Sequence, residues 1–372
     1  MRASNLRKCR RMFKSTGLAL AGWLAVSVPS IAAQACPGEP RAFLSEIMGF
    51  SAAEIHQVEQ GGAVTRTLQS EKHEIATLGL VLVGAPRKYY VERFREIEKL
   101  KKGENVLQVK KFSNPPQLED LRDLALSPQE IHELQKCRAG QCSFKLPAGM
   151  MAHIQRKVDW QAPDAQAQAA RVFRQTLLGY IQSYLAAGNN AMMIYEDKGR
   201  PVETREEFLR LLGEAPYVAA CTPQFSEYLR SYPEGAPPSA EDFIYWSKEI
   251  YSHDLKPVLT MTHVSIYQPA ENIAPAGVNE PVFTPPFILA SKQIYAIHYY
   301  ESSLGLTLLL EAKVDTGGPA FYMVYVNRST IDLLRKWYSG LARGRVAGNV
   351  RQGMKNNMLQ LKKKIEELYA GD

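Results

Sequence analysis

The stretch that decides the fold is residues 75–100, IATLGLVLVGAPRKYYVERFREIEKL. Residues 75–83 are rich in Leu and β-branched side chains and stop at Gly84, a pattern typical of a buried strand. Pro86 suits the first position of a helix. Apolar residues then recur at helical spacing, at Tyr89, Tyr90, Phe94, Ile97 and Leu100. The stretch therefore predicts a strand, a tight turn and a helix.

Beyond this unit the sequence predicts one more strand and then a long helical segment. Residues 106–112 are the second strand candidate, which the following SNPP ends because proline cannot continue a ladder. The pattern from 113 to 256 is mainly helical, with a helix expected at 163–187. Capping boxes predict helix starts at Ser51 and Ser127. The weaker candidates are strands at 142–146 and 191–195 and short helices starting at Thr204, Thr222 and Ser239.

From residue 257 the apolar period changes from helical to two, which indicates an antiparallel sheet. Strands are expected at 258–267, 287–314 and 320–328, and the middle run is long enough to hold a hairpin near 302–305. A proline-rich loop separates the first two strands. A final helix is expected at 350–369, with one apolar stripe formed by Val350, Met354, Met358, Leu361, Ile365 and Leu368.

The first 35 residues explain the charge of the chain. The formal charge of +7 depends on six basic residues here, and without this segment 39 basic and 38 acidic residues remain, which removes the charge argument for a nucleic-acid partner. A basic start, the apolar stretch 17–28 and the small-residue site at 33–35 predict a cleaved signal peptide. We therefore expect a periplasmic or secreted protein. Acylation at Cys36, as in a lipoprotein, is the less favoured alternative.

Cysteines in an oxidising compartment are expected to form bridges. Cys137 and Cys142 flank the turn in CRAGQC, so we expect a short-loop disulfide between them, with metal binding as the competing interpretation. Cys36 and Cys221 are either a second bridge or two free thiols, and their spacing leaves both alternatives open.

The strand and helix of 75–100 resemble the opening of START-like lipid-transfer and polyketide-cyclase domains, in which the helix carries an aromatic residue at the position of Phe94. The late strands and the helix 350–369 resemble the closing half of these domains, where an antiparallel sheet wraps a long helix and encloses an apolar cavity. FSNPPQLEDL, CRAGQC, KLPAGM and AFYMVYVNRS are similar to segments of uncharacterised secreted bacterial proteins with this domain.

The resemblance implies an α+β helix-grip fold with a large helical insertion. The expected organisation is a signal peptide at 1–35 and a single START-like domain at 36–372. Within the domain, the first strands and helix occupy 63–112, the helical insertion about 113–256, and the late sheet with the terminal helix 257–372.

The aromatic cluster around His298 is the first candidate site. In a strand, His298 and Tyr300 share a face with Ile294, and imidazole beside phenol supplies a polar handle for a ligand or a general acid–base pair. A buried His and Tyr hydrogen-bonded in a sheet core is the alternative, and His263 has the same two interpretations. Flexible methionines suit a wall that accepts varied lipids. The predicted cavity lining is His298, Tyr300, Ile294, His263, Met261, Met323, Met354, Met358 and Leu361.

No nucleophile elbow, phosphate-binding loop or HExxH motif occurs, and no cofactor, metal or membrane-spanning segment is predicted. The predicted function is extracytoplasmic binding or transport of an apolar or amphipathic, lipid-like molecule. One alternative is a cyclase- or aromatase-like enzyme that uses His298 and Tyr300. Another is a structural envelope protein whose own side chains fill the cavity.

Residues 335–364 contain nine basic residues and no acidic one. Such a run suits transient contact with an anionic membrane, and the candidate residues are Arg343, Arg345, Arg351 and Lys355. A solvated helix face is the alternative.

Overall fold

A computed structural model describes residues 36–251, 255–269, 286–313, 317–335 and 339–372. The predicted signal peptide and most of the proline-rich loop lie outside these residues. The described chain is α+β. Its strands are β1 Ala63–Thr67, β2 Glu74–Val83, β3 Val106–Lys111, β4 Ile194–Tyr195, β5 Val202–Glu203, β6 Ala240–Glu249, β7 Val258–Tyr267, β8 Phe287–Ala296, β9 Tyr300–Ala312 and β10 Ala320–Ile331.

Helices precede, interrupt and follow the strands. The α-helices are α1 Pro40–Ala42, α2 Ala52–Glu59, α3 Arg87–Arg95, α4 Ile97–Leu100, α5 Pro128–Lys136, α6 Ala148–Lys157, α7 Ala165–Ala187, α8 Thr204–Gly213, α9 Pro216–Cys221, α10 Pro223–Ser231 and α11 Ser339–Gly371. A π-helical turn spans Phe43–Ile47, and 3₁₀ turns span Leu118–Leu121, Gly188–Ala191 and Asp332–Arg335. The capping boxes predicted at Ser51 and Ser127 are both confirmed.

Eight strands form one antiparallel sheet in the order β1-β2-β10-β9-β8-β7-β6-β3, and β4 pairs only with β5. Side chains alternate across a strand, so each strand presents residues to both faces of the sheet. On one face, which we call the helical-layer face, Leu304, Leu306 and Leu308 of β9 join a large core with the helices between β3 and β6. On the opposite face, the terminal-helix face, Leu309 and Met323 join a smaller core with α3, α4 and α11.

Helix α11 packs on β1 and β2, at one side of the terminal-helix face. Met354 and Met358 lie directly over Gly79, where a Cβ would collide with the Met358 side chain. Further along the helix, Lys362 Nζ donates to the backbone oxygen of Leu82 at 2.8 Å. Glycine in β2 therefore lets the helix approach the sheet closely.

The structure corrects several element boundaries. The predicted helix at 87–100 is two helices that meet at Glu96. Helix α11 begins at Ser339, earlier than the expected 350, because four glycines weaken the helical signal of its first half. The predicted strand at 191–195 shrinks to β4, and residues 142–146 are irregular.

Strand β6 falls inside the segment predicted to be helical, where Ser239 was expected to start a helix. Its centre, Phe243–Trp246, is apolar at every position because alternate side chains enter different cores. A strand covered on both faces carries no alternation, so periodicity does not reveal it. The insertion between β3 and β6 therefore ends before residue 240.

The hairpin between β8 and β9 turns at 297–299, ahead of the predicted 302–305. Tyr299 adopts a left-handed φ of 61° at this turn. Gly305 lies within β9, where a Cβ would stand 3.1 Å from the Tyr325 hydroxyl. This glycine is thus explained by packing rather than by a turn.

Both disulfides are formed. The Cys137–Cys142 bridge is confirmed, and Cys36 pairs with Cys221, which ties the chain near its first described residue to α9. The short loop is also held by its backbone, because Gly140 N donates to Glu196 O at 2.7 Å and Cys142 N donates to Asp197 O at 3.0 Å.

Candidate functional site

The predicted cavity residues divide between the two faces of the sheet. Met261 and Ile294 belong to the helical-layer core. His263 and His298 contact aromatic side chains of that same layer. Met323, Met354, Met358 and Leu361 belong to the terminal-helix core. The nine residues therefore do not line one common space.

The two faces differ in how tightly they are sealed. On the central strands, Ala290 and Leu306 are 1% exposed and Val324 is 0% exposed on the helical-layer face. Their neighbours on the terminal-helix face keep more exposure, since Thr307 is 7% exposed and Ser291 is half-buried. The terminal-helix face is thus more exposed only at some of its polar positions, whereas its apolar residues, such as Leu309 and Met323, are buried.

The partly open face is polar over one half. Thr262 pairs with Gln293, Ser291 pairs with Gly305, and Thr307 pairs with Tyr325, so their side chains share the terminal-helix face. We call these small polar residues the hydroxyl band. It consists of Thr260, Thr262, Ser291, Gln293, Ser303, Thr307 and Asn327.

The other half of this face is apolar. Phe287 pairs with Leu309, which in turn pairs with Met323. Helix α3 covers this half, where the Tyr90 and Phe321 rings lie 5.8 Å apart. The terminal-helix face therefore runs from an apolar end to a polar end, the arrangement that an amphipathic molecule needs.

One group of the hydroxyl band is buried without a protein partner. Within the described residues, the Gln293 Nε2 donor has no acceptor. Ser329, by contrast, donates to Asn327 Oδ1 at 2.9 Å. Because buried polar groups are normally hydrogen-bonded, the Gln293 donor is suited to receive a polar ligand.

An ion pair and tyrosines surround the polar end. Lys101 Nζ lies 2.8 Å from Glu249 Oε1. Burial disfavours a charge on Lys101, but Tyr245 and Glu249 together raise its pKa, so the ammonium persists. The rings of Tyr251 and Tyr300 contact each other at 5.7 Å, and burial and nearby Glu249 raise the Tyr300 pKa. Of the predicted site residues, Tyr300 is thus near this end, although it also packs against the helical-layer core.

His263 belongs to a polar cluster buried under the helical layer. His263 Nε2 donates to Asp242 Oδ1 at 2.9 Å, while the Tyr184 hydroxyl donates to His263 Nδ1 at 2.8 Å. Burial, with a smaller effect of nearby Lys292, lowers the His263 pKa to about 4. The histidine is therefore neutral at physiological pH, and its two ring nitrogens are both satisfied.

Lys292 lies opposite His263 in the register and is also buried. Its Nζ donates to Asn189 Oδ1 at 2.6 Å and sits about 5 Å from the rings of Tyr184, Phe208 and Tyr232. Burial lowers the Lys292 pKa to about 7. The sequence does not indicate the role of this lysine, because a single lysine in an apolar strand belongs to no motif.

His298 contacts the helical layer. Its Nδ1 lies 2.8 Å from the backbone oxygen of Ser143, and its ring meets Phe144 edge-on. Burial lowers the His298 pKa. His298 Nε2 has no partner among the described residues. The geometry fits a histidine held in the core more closely than an acid–base pair with Tyr300.

Part of the basic run is used inside the protein. Arg335 forms an ion pair with buried Glu301 at 2.6 Å. Arg343 Nη2 donates to the backbone of the loop before β2, at Ser70 and Glu71 among others. Arg345 and Arg351 are exposed, and Lys355 is half-buried.

Two shallow clefts of about 420 Å³ lie elsewhere, one along β3 and the other between the first two helices, and no predicted site residue lines either. In the described part of the chain, no cluster of His, Cys, Asp and Glu fits a metal ion. No helix among the described residues has the length and apolarity of a membrane span. No protein-family model, curated protein or solved structure matches the chain.

Proposed function

We propose that this protein binds an amphipathic small molecule on the terminal-helix face of its sheet. The observation that carries the proposal is the polar half of this face, where Ser291 is half-buried and the Gln293 Nε2 donor is buried without an acceptor among the described residues. Such a donor is free to bond to a polar ligand. An apolar end that continues into a hydroxyl band matches an alkyl chain joined to a polar head.

The proposal includes a START-like arrangement and a location outside the cytoplasm. Helix α11 lies over β1 and β2 and leaves the hydroxyl band on the more distant strands beside it, which supports a groove between helix and sheet. The two disulfides support an oxidising compartment, periplasmic or extracellular.

Binding is tested with three soluble amphiphiles that share a dodecyl-length chain: monolaurin, dodecanoate and dodecyltrimethylammonium. Each is titrated against protein carrying Nile red, below its micellar concentration. We expect at least one amphiphile to displace the dye. Ser291→Phe should abolish displacement because its ring fills the groove. Ser183→Phe, on the exposed side of α7, is the control and should bind like the unmodified protein.

A structural envelope protein with a filled interior is the second candidate, and one observation favours it. Met354 and Met358 fill the space between α11 and Gly79 completely enough to exclude a Cβ. If none of the three amphiphiles displaces Nile red, the structural role is favoured over the binding function.

The cyclase- or aromatase-like enzyme has less support. His298 contacts Ser143 and Phe144 of the helical layer, whereas Tyr300 contacts Tyr251, so the two side chains have different surroundings. Turnover of a polyketide-like substrate that His298→Ala abolishes without loss of binding would restore this alternative.

Delivery to a membrane is a separate part of the proposal. Arg345 and Arg351 are exposed on α11 and suit an anionic surface, with Lys355 beside them and Arg343 already engaged in the fold. Vesicles that contain phosphatidylglycerol should bind the protein more strongly than phosphatidylcholine vesicles at low salt. If the protein binds both kinds of vesicle equally, these residues are a solvated helix face.

A further inference from the structure

The polar end of the proposed groove contains an ion pair whose charges cancel. Lys101 and Glu249 are joined at 2.8 Å, and the Glu249 carboxylate also accepts a hydrogen bond from Ser247 at 2.5 Å. Around this pair stand the phenols of Tyr245 and Tyr325. The cation and the anion at this end are therefore already matched.

Other charged groups near this face are also engaged. Arg95 Nε bonds to Glu241 at 2.7 Å at the end of α3. Arg343 donates to the loop before β2. Lys111 Nζ lies 4.2 Å from the centre of the Phe243 ring. No unpaired cation or anion is thus offered to a ligand by these side chains.

The hydroxyl band offers groups of the opposite kind, neutral and able to work in both directions. The hydroxyls of Thr262, Ser291 and Thr307 can each donate and accept, and the free Gln293 Nε2 group donates. A charged head group in this setting would lose hydration without gaining a counter-charge, which is strongly unfavourable. A head with its own hydroxyl groups would exchange hydrogen bonds with the band.

We infer that the groove selects amphiphiles whose head is uncharged and bears hydroxyl groups, such as a glycerol or sugar head. This inference rests on the proposed function and adds the chemical class of the ligand. The Lys101–Glu249 pair is assigned a role in specificity, because its neutrality keeps anionic and cationic heads out.

The sheet itself provides a matched control. Lys248 precedes Glu249 in β6 and points to the helical-layer face, where its Nζ lies 2.8 Å from Glu130 Oε2. The two Lys–Glu pairs have the same length but lie on opposite faces. Replacing Glu249 or Glu130 by glutamine therefore removes the same kind of ion pair, once on each face of the sheet.

The test is the affinity order of the three amphiphiles in the Nile red assay. We expect monolaurin to bind about tenfold more tightly than dodecanoate or dodecyltrimethylammonium. Glu249→Gln frees the Lys101 charge and should tighten dodecanoate about tenfold, since charge-assisted hydrogen bonds are roughly twice as strong as neutral ones. Glu130→Gln should change neither affinity.

The outcomes separate this inference from the proposed function. If no amphiphile binds, the proposed function fails. If the amphiphiles bind but a charged one equals or exceeds monolaurin, the function stands and the selectivity is wrong. Should Glu249→Gln not fold, the affinity order in the unmodified protein decides alone. Dodecanoate affinity that rises equally in Glu130→Gln would also overturn the role of Glu249.

Discussion

The two faces of the sheet differ in the side chains that they bury. On the helical-layer face, residues such as Leu306 and Val324 are sealed under the helices between β3 and β6. On the terminal-helix face, the same strands carry half-buried serines and buried threonine and glutamine side chains. Because β9 and β10 contribute to both, the difference comes from which alternate positions are polar and not from which strands are used.

The helical-layer face contributes to the larger apolar core, and the terminal-helix face to the smaller one. Apolar burial contributes roughly 25 cal/mol per Å², so the larger, more apolar side carries most of the stability. The polar side can then keep unpaired groups without unfolding the domain. Substitutions in the hydroxyl band should therefore change the affinity for ligand more than the free energy of unfolding.

The largest expected difference is between neighbours in β9. Leu306→Ala removes a sealed side chain and leaves a cavity, so it should lower the free energy of unfolding by about 2–5 kcal/mol. Thr307→Val, on the other face, should change it by less than about 1 kcal/mol. Urea unfolding of both variants measures the contrast. Similar losses of unfolding free energy in the two variants would contradict the difference between the two faces.

Docking of α11 should contribute a smaller amount. Met358 is buried over Gly79, and Met358→Ala should cost about 2 kcal/mol because the flexible neighbouring Met354 can partly fill the space. Leu368→Ala, at an exposed position of the same helix, is the control and should cost less than about 0.5 kcal/mol. An unchanged melting curve for Met358→Ala would mean that the helix is not held by this contact.

Lys292 should give the helical-layer side a distinctive pH dependence. Its pKa in the folded protein is about 7, against 10.5 for an ordinary lysine, so between these values the unfolded chain binds more protons. The free energy of unfolding should therefore rise from pH 7 towards 10, by at most about 1.4 kcal/mol per pH unit. Below pH 7 both states are protonated and this contribution to the slope disappears.

Lys292→Met should remove that slope, and it should lower the free energy of unfolding at pH 7 by about 1–3 kcal/mol because buried Asn189 Oδ1 loses its donor. Lys355→Met, on α11, should keep the slope. Urea unfolding at pH 7 and pH 9 measures both variants. A slope that survives in Lys292→Met would show that another group is responsible.

The smallest effect is expected in the hydroxyl band. Thr262→Val should shift the free energy of unfolding by about 0.5 kcal/mol or less, because the Thr262 hydroxyl is not among the buried groups without a partner. Monolaurin affinity should fall about threefold, as for one neutral hydrogen bond. A variant that loses stability while its monolaurin affinity is unchanged would place Thr262 in the core instead.

Much of the fold could be predicted from local signals. The strand and helix within 75–100, the capping boxes and the late period-two strands each depend on neighbouring residues, and all appear in the structure. Strand β6 could not be predicted in this way, because Phe243–Trp246 is buried on both sides and has no alternation. The position of β6 depends on its pairing with β7 and with β3, and β3 is distant in sequence.

The site was harder to predict, since a strand covered on both faces does not indicate which side chains share a space. The sequence pattern predicts that Met261 and Met323 line one cavity, whereas the two side chains belong to different cores. The signal in the sequence is an even spacing of small polar residues, two positions for Thr260 and Thr262 and four for Ser303 and Thr307, which places each pair on one face. Lys292 and Asp242 come together with His263 only through strand register.

The most direct test of the open terminal-helix face compares two neighbouring positions of β8. Ser291 is half-buried on that face, and Ala290 is sealed on the other. Ser291→Cys and Ala290→Cys are each treated, in the folded protein, with a small methanethiosulfonate reagent, while the cysteines of the described chain remain in disulfides. We predict rapid labelling at 291, slowed by monolaurin, and none at 290. Equal labelling at both positions, or an unreactive Ser291→Cys, would contradict the account.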